Sequence, residues 1–338
     1  MNHVLIARQD NLGDVLLAGP CVRAVAATAS QVSLLTGPHG RAAGELLPGV
    51  DDLMTWCAPW IDPRPPAVGK AGIEAFVDEI RERAPDQALI LTSFHQSPLP
   101  LALLLRQAGV PWVGAISDDY PGSLLDLRHR VDGDPPEALR MLSLAEAAGY
   151  RLQADDHGGL ALRRPLPSTT RLTDGGPYVV VHPGASVPAR RPSAEWSRRL
   201  TQALARRHRV VVTGSRPERD LTRLVAGSWA IDLGGRTTLA ELASVLTGAL
   251  VVVAPNTGAA HLAAAAGTPV VSLFAPVVPA ARWAPYGVPA ALLGDQHAPC
   301  RGSRAPICPV RGHPCLNRID PGEVCRAVTE LAEPQAVA

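Results

Sequence analysis

HVLIARQDNLGDVLLAGP, residues 3–20, joins a short apolar run to a glycine turn and then to a second apolar stretch. Val4 to Ala7 carry no alternating polar residue, as expected of a strand covered on both faces of a parallel sheet. Gly13 permits a tight turn, and Asp14 opens a predicted helix over 15–29, where a carboxylate suits the helix dipole. Strand–turn–helix junctions commonly receive phosphate. Asp10 and Asp14 together would repel one. The loop therefore reads as facing a neutral group that must lose a proton, such as a sugar hydroxyl, with a plain helix-capping role for Asp14 as the other reading. Arg8, Asp10 and Gly13 complete this acceptor-side loop.

The same alternation continues outward. Strands are expected at 3–8, 31–36, 51–56, 87–92 and 112–116, with helices near 15–29, 38–47, 70–84, 98–108 and 135–149. RRPLPSTTRLTDGGP (163–177) is polar and proline-containing, which places a linker at 166–177. A second series follows: YVVVHP (178–183), RVVVTG (209–214), AIDLGG (230–235), LVVVAP (250–255) and VVSLFAP (270–276). Helices fall between these runs, near 193–207, 216–226, 238–247 and 258–266. The fold class is α/β: two doubly wound domains, 1–165 and 178–338, facing a central cleft. A last helix near 321–333 starts at Asp320-Pro321 and is expected to pack back on the first domain.

The formal net charge of +1 excludes a nucleic-acid groove or a polybasic membrane patch as the dominant feature. Lys70 is the only lysine, so any cation gripping phosphate is an arginine. Residues 242–281 lack charge, but Pro255, Gly267, Pro269, Pro276 and Pro279 break them into short elements, unlike a membrane span. No signal peptide is evident, and a cytoplasmic monomer is expected. The run LPLALLL (99–105) offers either core packing or peripheral contact with the inner face of the membrane. Cys300, Cys308 and Cys315, with His297 and His313 nearby, supply enough ligands for zinc. Their spacing matches no C-x2-C knuckle, so a zinc site, a disulfide and reduced cysteines all remain open.

Loops of the second half have the opposite character from the first. In VHPGASVPARRPSAEW (181–196), Gly184, Ala185 and Ser186 leave backbone N–H groups accessible, and Arg190 or Arg191 can neutralise a diphosphate. TGSRPERD (213–220) places Glu218 where it can take both ribose hydroxyls or cap the next helix. In APNTGAAHLAAAAGTP (254–269), Asn256 or Thr257 caps a helix and Gly258 lets a ligand approach the backbone. The free N–H groups of that first turn make an anion site. His261 lies on the same turn and should stay neutral.

The ordered set DNLGDVLLAGP, HPGAS with Trp196, TGSRPE, LGGRTTLAELA and NTGAAHLAAAAGTPVVSLFAP resembles glycosyltransferase family 9, the ADP-heptose:lipopolysaccharide heptosyltransferases. The resemblance implies a GT-B architecture of two Rossmann-like domains. It also implies an inverting, metal-independent transfer from an ADP-sugar donor to a glycan, glycolipid or small-molecule hydroxyl, with no cofactor required. Asp14 matches the family's catalytic base. Thr257, Gly258 and His261 match its donor diphosphate loop, Glu218 its ribose contact, and Thr237 lies near its adenine pocket. Two positions depart from the pattern. Asn256 stands where an aspartate is frequent, and Ala189 where a lysine is frequent, Arg190 being the nearest substitute. A nucleotide-sugar epimerase of the same architecture and a non-catalytic sugar-nucleotide-binding protein are the alternative functions.

Overall fold

The computed structural model describes residues 2–333. The chain divides into two compact units, Met1–Arg163 and Arg164–Ala338.

Unit 1 runs β1 (His3–Arg8), α1 (Leu12–Leu17), α2 (Gly19–Ala26), β2 (Gln31–Thr36), α3 (Arg41–Gly44), β3 (Asp52–Thr55) and α4 (Lys70–Arg83). It continues with β4 (Gln87–Ile90), α5 (Leu99–Gln107), β5 (Trp112–Ile116), β6 (Leu127–His129) and α6 (Glu137–Ala147). The strands form one sheet in the order β3-β2-β1-β4-β5-β6, and every pair is parallel. All six residues of β1 are buried, as its apolar run requires at the sheet centre. β6 was not expected from the sequence, because LRH offers no apolar run.

The expected helix 15–29 starts earlier and is broken. Asn11 is its N-cap, and Asp14 is the third helical residue, its Oδ2 accepting from the Asn11 backbone N–H at 3.2 Å. Pro20 has no N–H to continue the ladder, so Ala18 closes α1 and opens α2. The 99–105 run is mainly core: Leu101, Ala102, Leu104 and Leu105 are buried with Phe76 and Ile80, leaving Leu103 exposed.

Unit 2 runs α7 (Thr170–Thr173), β7 (Val179–Val181), α8 (Ala194–Leu204), β8 (Val210–Val212), α9 (Arg219–Ala226), β9 (Ile231–Asp232) and α10 (Leu239–Thr247). Then come β10 (Val251–Pro255), α11 (Gly258–Ala266), β11 (Val270–Leu273), α12 (Ala280–Trp283), β12 (Ala290–Leu293), α13 (Pro314–Asn317) and α14 (Pro321–Ala332). Its sheet order is β12-β11-β10-β7-β8-β9, again all parallel. Counted within the unit, this is the connectivity of the first sheet repeated. α14 packs on α8 and on β10, β11 and β12 of its own unit. Val324 and Val328 join a core with Trp196, whose Nε1–H donates to the Ile319 carbonyl at 2.8 Å.

Ligands in such sheets sit beyond the strands' carboxyl ends, where the strand order reverses. Those switch points lie between β1 and β4 in unit 1 and between β7 and β10 in unit 2. The loops leaving these four strands are the places to look.

Candidate functional site

In unit 1 the loop after β1 and the loop after β4 meet around Arg8, which is 0% exposed. Its Nη2 donates to Asp14 Oδ1 at 3.2 Å and to Ser93 Oγ at 2.9 Å, and its Nη1 donates to the Leu91 carbonyl at 3.1 Å. Nε faces Asp10 Oδ2 at 3.1 Å as an ion pair. Burial alone would lower the arginine's pKa, but Asp10, Asp14 and Glu137 outweigh it and hold the guanidinium above its ordinary value. For Asp10, burial pushes the carboxyl up against the pull of Arg8, with Asp14 adding to the rise. Gln96 Nε2 donates to Asp10 Oδ1 at 2.5 Å. Gly13 is buried on α1, and Asp14 keeps partial solvent access, its side chain 17% exposed. A polar cavity of about 260 Å³ adjoins this cluster, lined by Ser93, His95, Gln96, Ser117, Asp119 and Arg140 among others.

In unit 2 the loops after β7, β8 and β10 emerge side by side at one sheet edge, because β7 pairs with both β8 and β10 in parallel. Glu218 Oε2 accepts from the Ser215 backbone N–H at 2.8 Å and from its hydroxyl at 2.6 Å. Burial alone would raise this carboxyl's pKa, but Ser215, His182 and Arg191 outweigh it and hold Glu218 below its ordinary value. His182 is itself buried, with Nδ1 3.0 Å from Thr213 Oγ1, and burial lowers its pKa against the pull of Glu218.

Gly184 approaches Glu218 so closely that an added Cβ would stand 2.0 Å from Oε1. Gly184→Ala is therefore expected to displace the Glu218 carboxylate, the movable partner, and leave the fold intact. A ligand held by that carboxylate should bind about tenfold more weakly, roughly 1.4 kcal/mol. Calorimetry with ADP beside a thermal melt checks this, and unchanged affinity would remove Glu218 from the site.

Thr257 is the N-cap of α11, and its side chain makes no capping hydrogen bond. The Ala260 N–H donates to the Thr257 carbonyl at 3.0 Å, and the N–H groups of Gly258 and Ala259 lead the helix and suit an anionic ligand. Asn256 and His261 are buried beside it, with Asn256 Nδ2 and His261 Nδ1 lacking hydrogen-bond partners. Buried polar groups of this kind ordinarily find a partner. Arg190 ends a 3-10 turn, Pro188–Arg190, that is seated by the Ala189 N–H donating to the Pro306 carbonyl at 3.0 Å. Ala189 is 0% exposed, whereas Arg190 is half-buried and acts electrostatically on His261. Ser186 is exposed on the same loop, and Thr237 is half-buried just before Thr238, the N-cap of α10.

Burial, aided by Arg190, pushes the His261 imidazole down to about 4 from 6.5. With the folded value depressed, the unfolded chain protonates first, so this contribution is complete above 6.5 and is lost as pH falls toward 4. The loss should reach roughly 3 kcal/mol. Urea titrations at pH 7 and pH 4 should show a smaller loss for His261→Asn than for the parent chain. Equal losses would contradict the assignment.

No group of three or more His, Cys, Asp or Glu side chains is arranged to hold a metal among the described residues. Cys300, Cys308 and Cys315 are free thiols. Burial, with the neighbouring Cys300 and Cys308, pushes the Cys315 thiol up to about 12. Cys308 Sγ donates to the Val310 carbonyl at 3.4 Å. Burial likewise lowers the pKa of His313, although a backbone hydrogen bond with Ala189 opposes it.

The structure brings Arg8, Asp10, Gly13 and Asp14 together in unit 1, and Ser186, Arg190, Glu218, Asn256, Thr257, Gly258 and His261 onto neighbouring loops in unit 2. Sequence reasoning missed Glu137, Arg140 and Gln96 around Arg8, and His182 behind Glu218. Glu137 and Arg140 have the i,i+3 spacing common to exposed helical ion pairs, and nothing local in the sequence announces their burial.

A family model described as glycosyltransferase family 9 (heptosyltransferase) matches residues 73–310. Lipopolysaccharide heptosyltransferase 1 of Pseudomonas aeruginosa is 38% identical over 157 residues, a match spanning 41% of this chain and 44% of that relative. ADP-heptose lipopolysaccharide heptosyltransferase II of Escherichia coli superimposes with a TM-score of 0.74 at 20% identity, covering 98% of each chain. A glycosyl transferase family 9 protein of Veillonella parvula gives a TM-score of 0.77 at 17% identity, covering 98% of this chain and 97% of that one. The Escherichia coli heptosyltransferase WaaC, solved with ADP-2-deoxy-2-fluoro heptose, gives 0.72 at 20% identity over 97% of this chain and 99% of its own.

Proposed function

The chain belongs to glycosyltransferase family 9, and from that premise we propose that it moves a heptose-like sugar from an ADP-activated donor to an acceptor hydroxyl, with inversion. The observation that carries this reading is the contrast between the two switch points. One presents carboxylates beside a polar cavity, and the other presents an arginine, a neutral histidine and an open helix N-terminus. The family match begins at residue 73, so the role given to Asp14 rests on the resemblance of DNLGDVLLAGP and on its geometry.

In the proposed step the acceptor oxygen forms its bond to the anomeric carbon while Asp14 takes the hydroxyl proton. The bond from that carbon to the phosphate oxygen breaks, and the electron pair leaves with ADP. Arg190, the His261 N–H and the N–H groups of Gly258 and Ala259 face the departing diphosphate. Preorganised donors of this kind stabilise charge as it develops. Glu218 takes the ribose hydroxyls, Thr237 borders the adenine, and Ser186 and Asn256 complete the donor contacts. The cavity beside Ser93, Gln96 and Asp119 takes the acceptor, a glycan, glycolipid or small molecule offering several hydroxyl groups. Neutral imidazole matters here, since His261 must donate a hydrogen bond without competing for the proton that Asp14 receives.

The relatives' printed names favour ADP-heptose and lipopolysaccharide as first substrates to try. Calorimetric titration with ADP-, GDP-, UDP- and dTDP-activated sugars should show the ADP compound binding tightest. Preference for another base would overturn the donor assignment. Product analysis with ADP-heptose, alone and with heptose-deficient lipopolysaccharide, separates transfer from epimerisation, because an epimerase needs no acceptor. Among the described residues no helix is long and apolar enough to cross a membrane.

A further inference from the structure

Glu137 and Arg140 lie on α6, far along the chain from Asp14, yet both belong to the charge cluster around Arg8. Glu137 is 0% exposed, and its Oε1 stands 3.5 Å from Arg8 Nη1. The same oxygen accepts from Arg140 Nη1 at 3.0 Å, and that nitrogen also donates to the Thr92 carbonyl at 2.7 Å. Glu137 Oε2 is buried without a hydrogen-bond partner. A wholly buried carboxylate with one oxygen unsatisfied is costly to stability, and a core needing only to fold would be better served by an apolar residue. The arrangement calls for a role outside folding.

That role follows from the charges. Asp10, Asp14 and Glu137 are negative and Arg8 and Arg140 positive, so with all five ionised the cluster carries one net negative charge. Arg8 is shared among three carboxylates. Without Glu137, its positive charge would fall on Asp10 and Asp14 alone, and Asp14 would be a poorer proton acceptor. Arg140 tempers Glu137 in turn. His95, in the loop after β4, acts on Asp10, and Gln96 holds that carboxylate from the same loop.

We propose that Glu137 and Arg140 are positioning residues that act through Arg8 on Asp14, fixing where its carboxylate sits and how strongly it attracts a proton. The two side chains bear on Asp14 with opposite sign. This rests on Asp14 being the base, but its test does not use the reaction.

The full chain, labelled with carboxyl-carbon-13 aspartate, is titrated by nuclear magnetic resonance, with Asp14→Asn identifying the Asp14 signal. Glu137→Gln should move the Asp14 titration to lower pH, and Arg140→Gln should move it to higher pH. A purely structural contribution would not give opposite directions. Movement of both in the same direction, or of neither, overturns the proposal. Should Glu137→Gln fail to fold, Arg140→Gln alone still decides the sign, and Arg140→Lys, which keeps the charge, should return the titration toward the parent curve. Donor affinity by calorimetry should stay within about twofold in all variants, since none of these residues lies in unit 2. If Asp14→Asn retains transfer activity while the opposite movements are seen, the base assignment fails and the electrostatic coupling stands.

Discussion

Asp14→Asn is expected to lower the transfer rate by about a thousandfold while donor affinity changes by less than about twofold, the size associated with losing a general base. The substitution is nearly isosteric. The amide oxygen can keep one of the two bonds that seat the side chain now, from Arg8 Nη2 to Oδ1 or from the Asn11 N–H to Oδ2, and the amide nitrogen cannot accept the other. What it loses is the capacity to take a proton. The residues proposed for the donor lie on loops of the other unit, so a grip on ADP made there should not register the change. Rates measured at saturating ADP-heptose, together with calorimetry using ADP, provide the check. Transfer at the parent rate would show that another group, with Asp10 the first candidate, receives the proton.

Arg190→Met should reduce turnover by about a hundredfold to a thousandfold, the range for removing one preorganised donor from a developing oxyanion, and should weaken ADP binding as well. Methionine keeps much of the aliphatic stem and removes only the charged fork. Arg191→Met is the internal comparison, because Arg191 acts on Glu218, so its loss should affect binding with little effect on turnover. The two variants separate by their division between KM and kcat. Equal behaviour would mean that the departing diphosphate is held by α11 without help from the Pro188–Arg190 turn. Arg190→Lys should recover part of the rate, since a point charge replaces a planar donor.

The architecture was largely legible because both sheets are parallel. Strands covered on both faces must be apolar throughout, so HVLIA, YVVVHP and LVVVAP stand out from any background. β6 and β12 escaped for the complementary reason. They lie at sheet edges, β6 half-buried throughout and β12 alternating between exposed and half-buried, and LRH and AALL carry no strong signature. The break between α1 and α2 was written in Gly19-Pro20, where a long apolar run hid it.

The donor loops were readable one by one, since backbone N–H groups at a helix start depend on local sequence. The Arg8 cluster was readable only at Arg8, Asp10 and Asp14. Glu137 and Arg140 arrive there through the packing of α6 against α2 and β5. No spacing rule links residues so distant. The proximity of Cys300, Cys308 and Cys315 was legible in the sequence, but its spacing did not say which side chains would be buried together.

One consequence of the repeated sheet order concerns how such chains diversify. Each half owns a complete six-stranded sheet, and the chain passes once from one to the other, near Arg163 and Arg164. Every residue assigned to the nucleotide lies beyond that crossing, and every residue assigned to the incoming hydroxyl lies before it. A single recombination event at this point would exchange what the enzyme decorates and inherit intact what it decorates with. Lineages built this way should show uneven ancestry along their length, their front portions drawn from many sources and their rear portions from few.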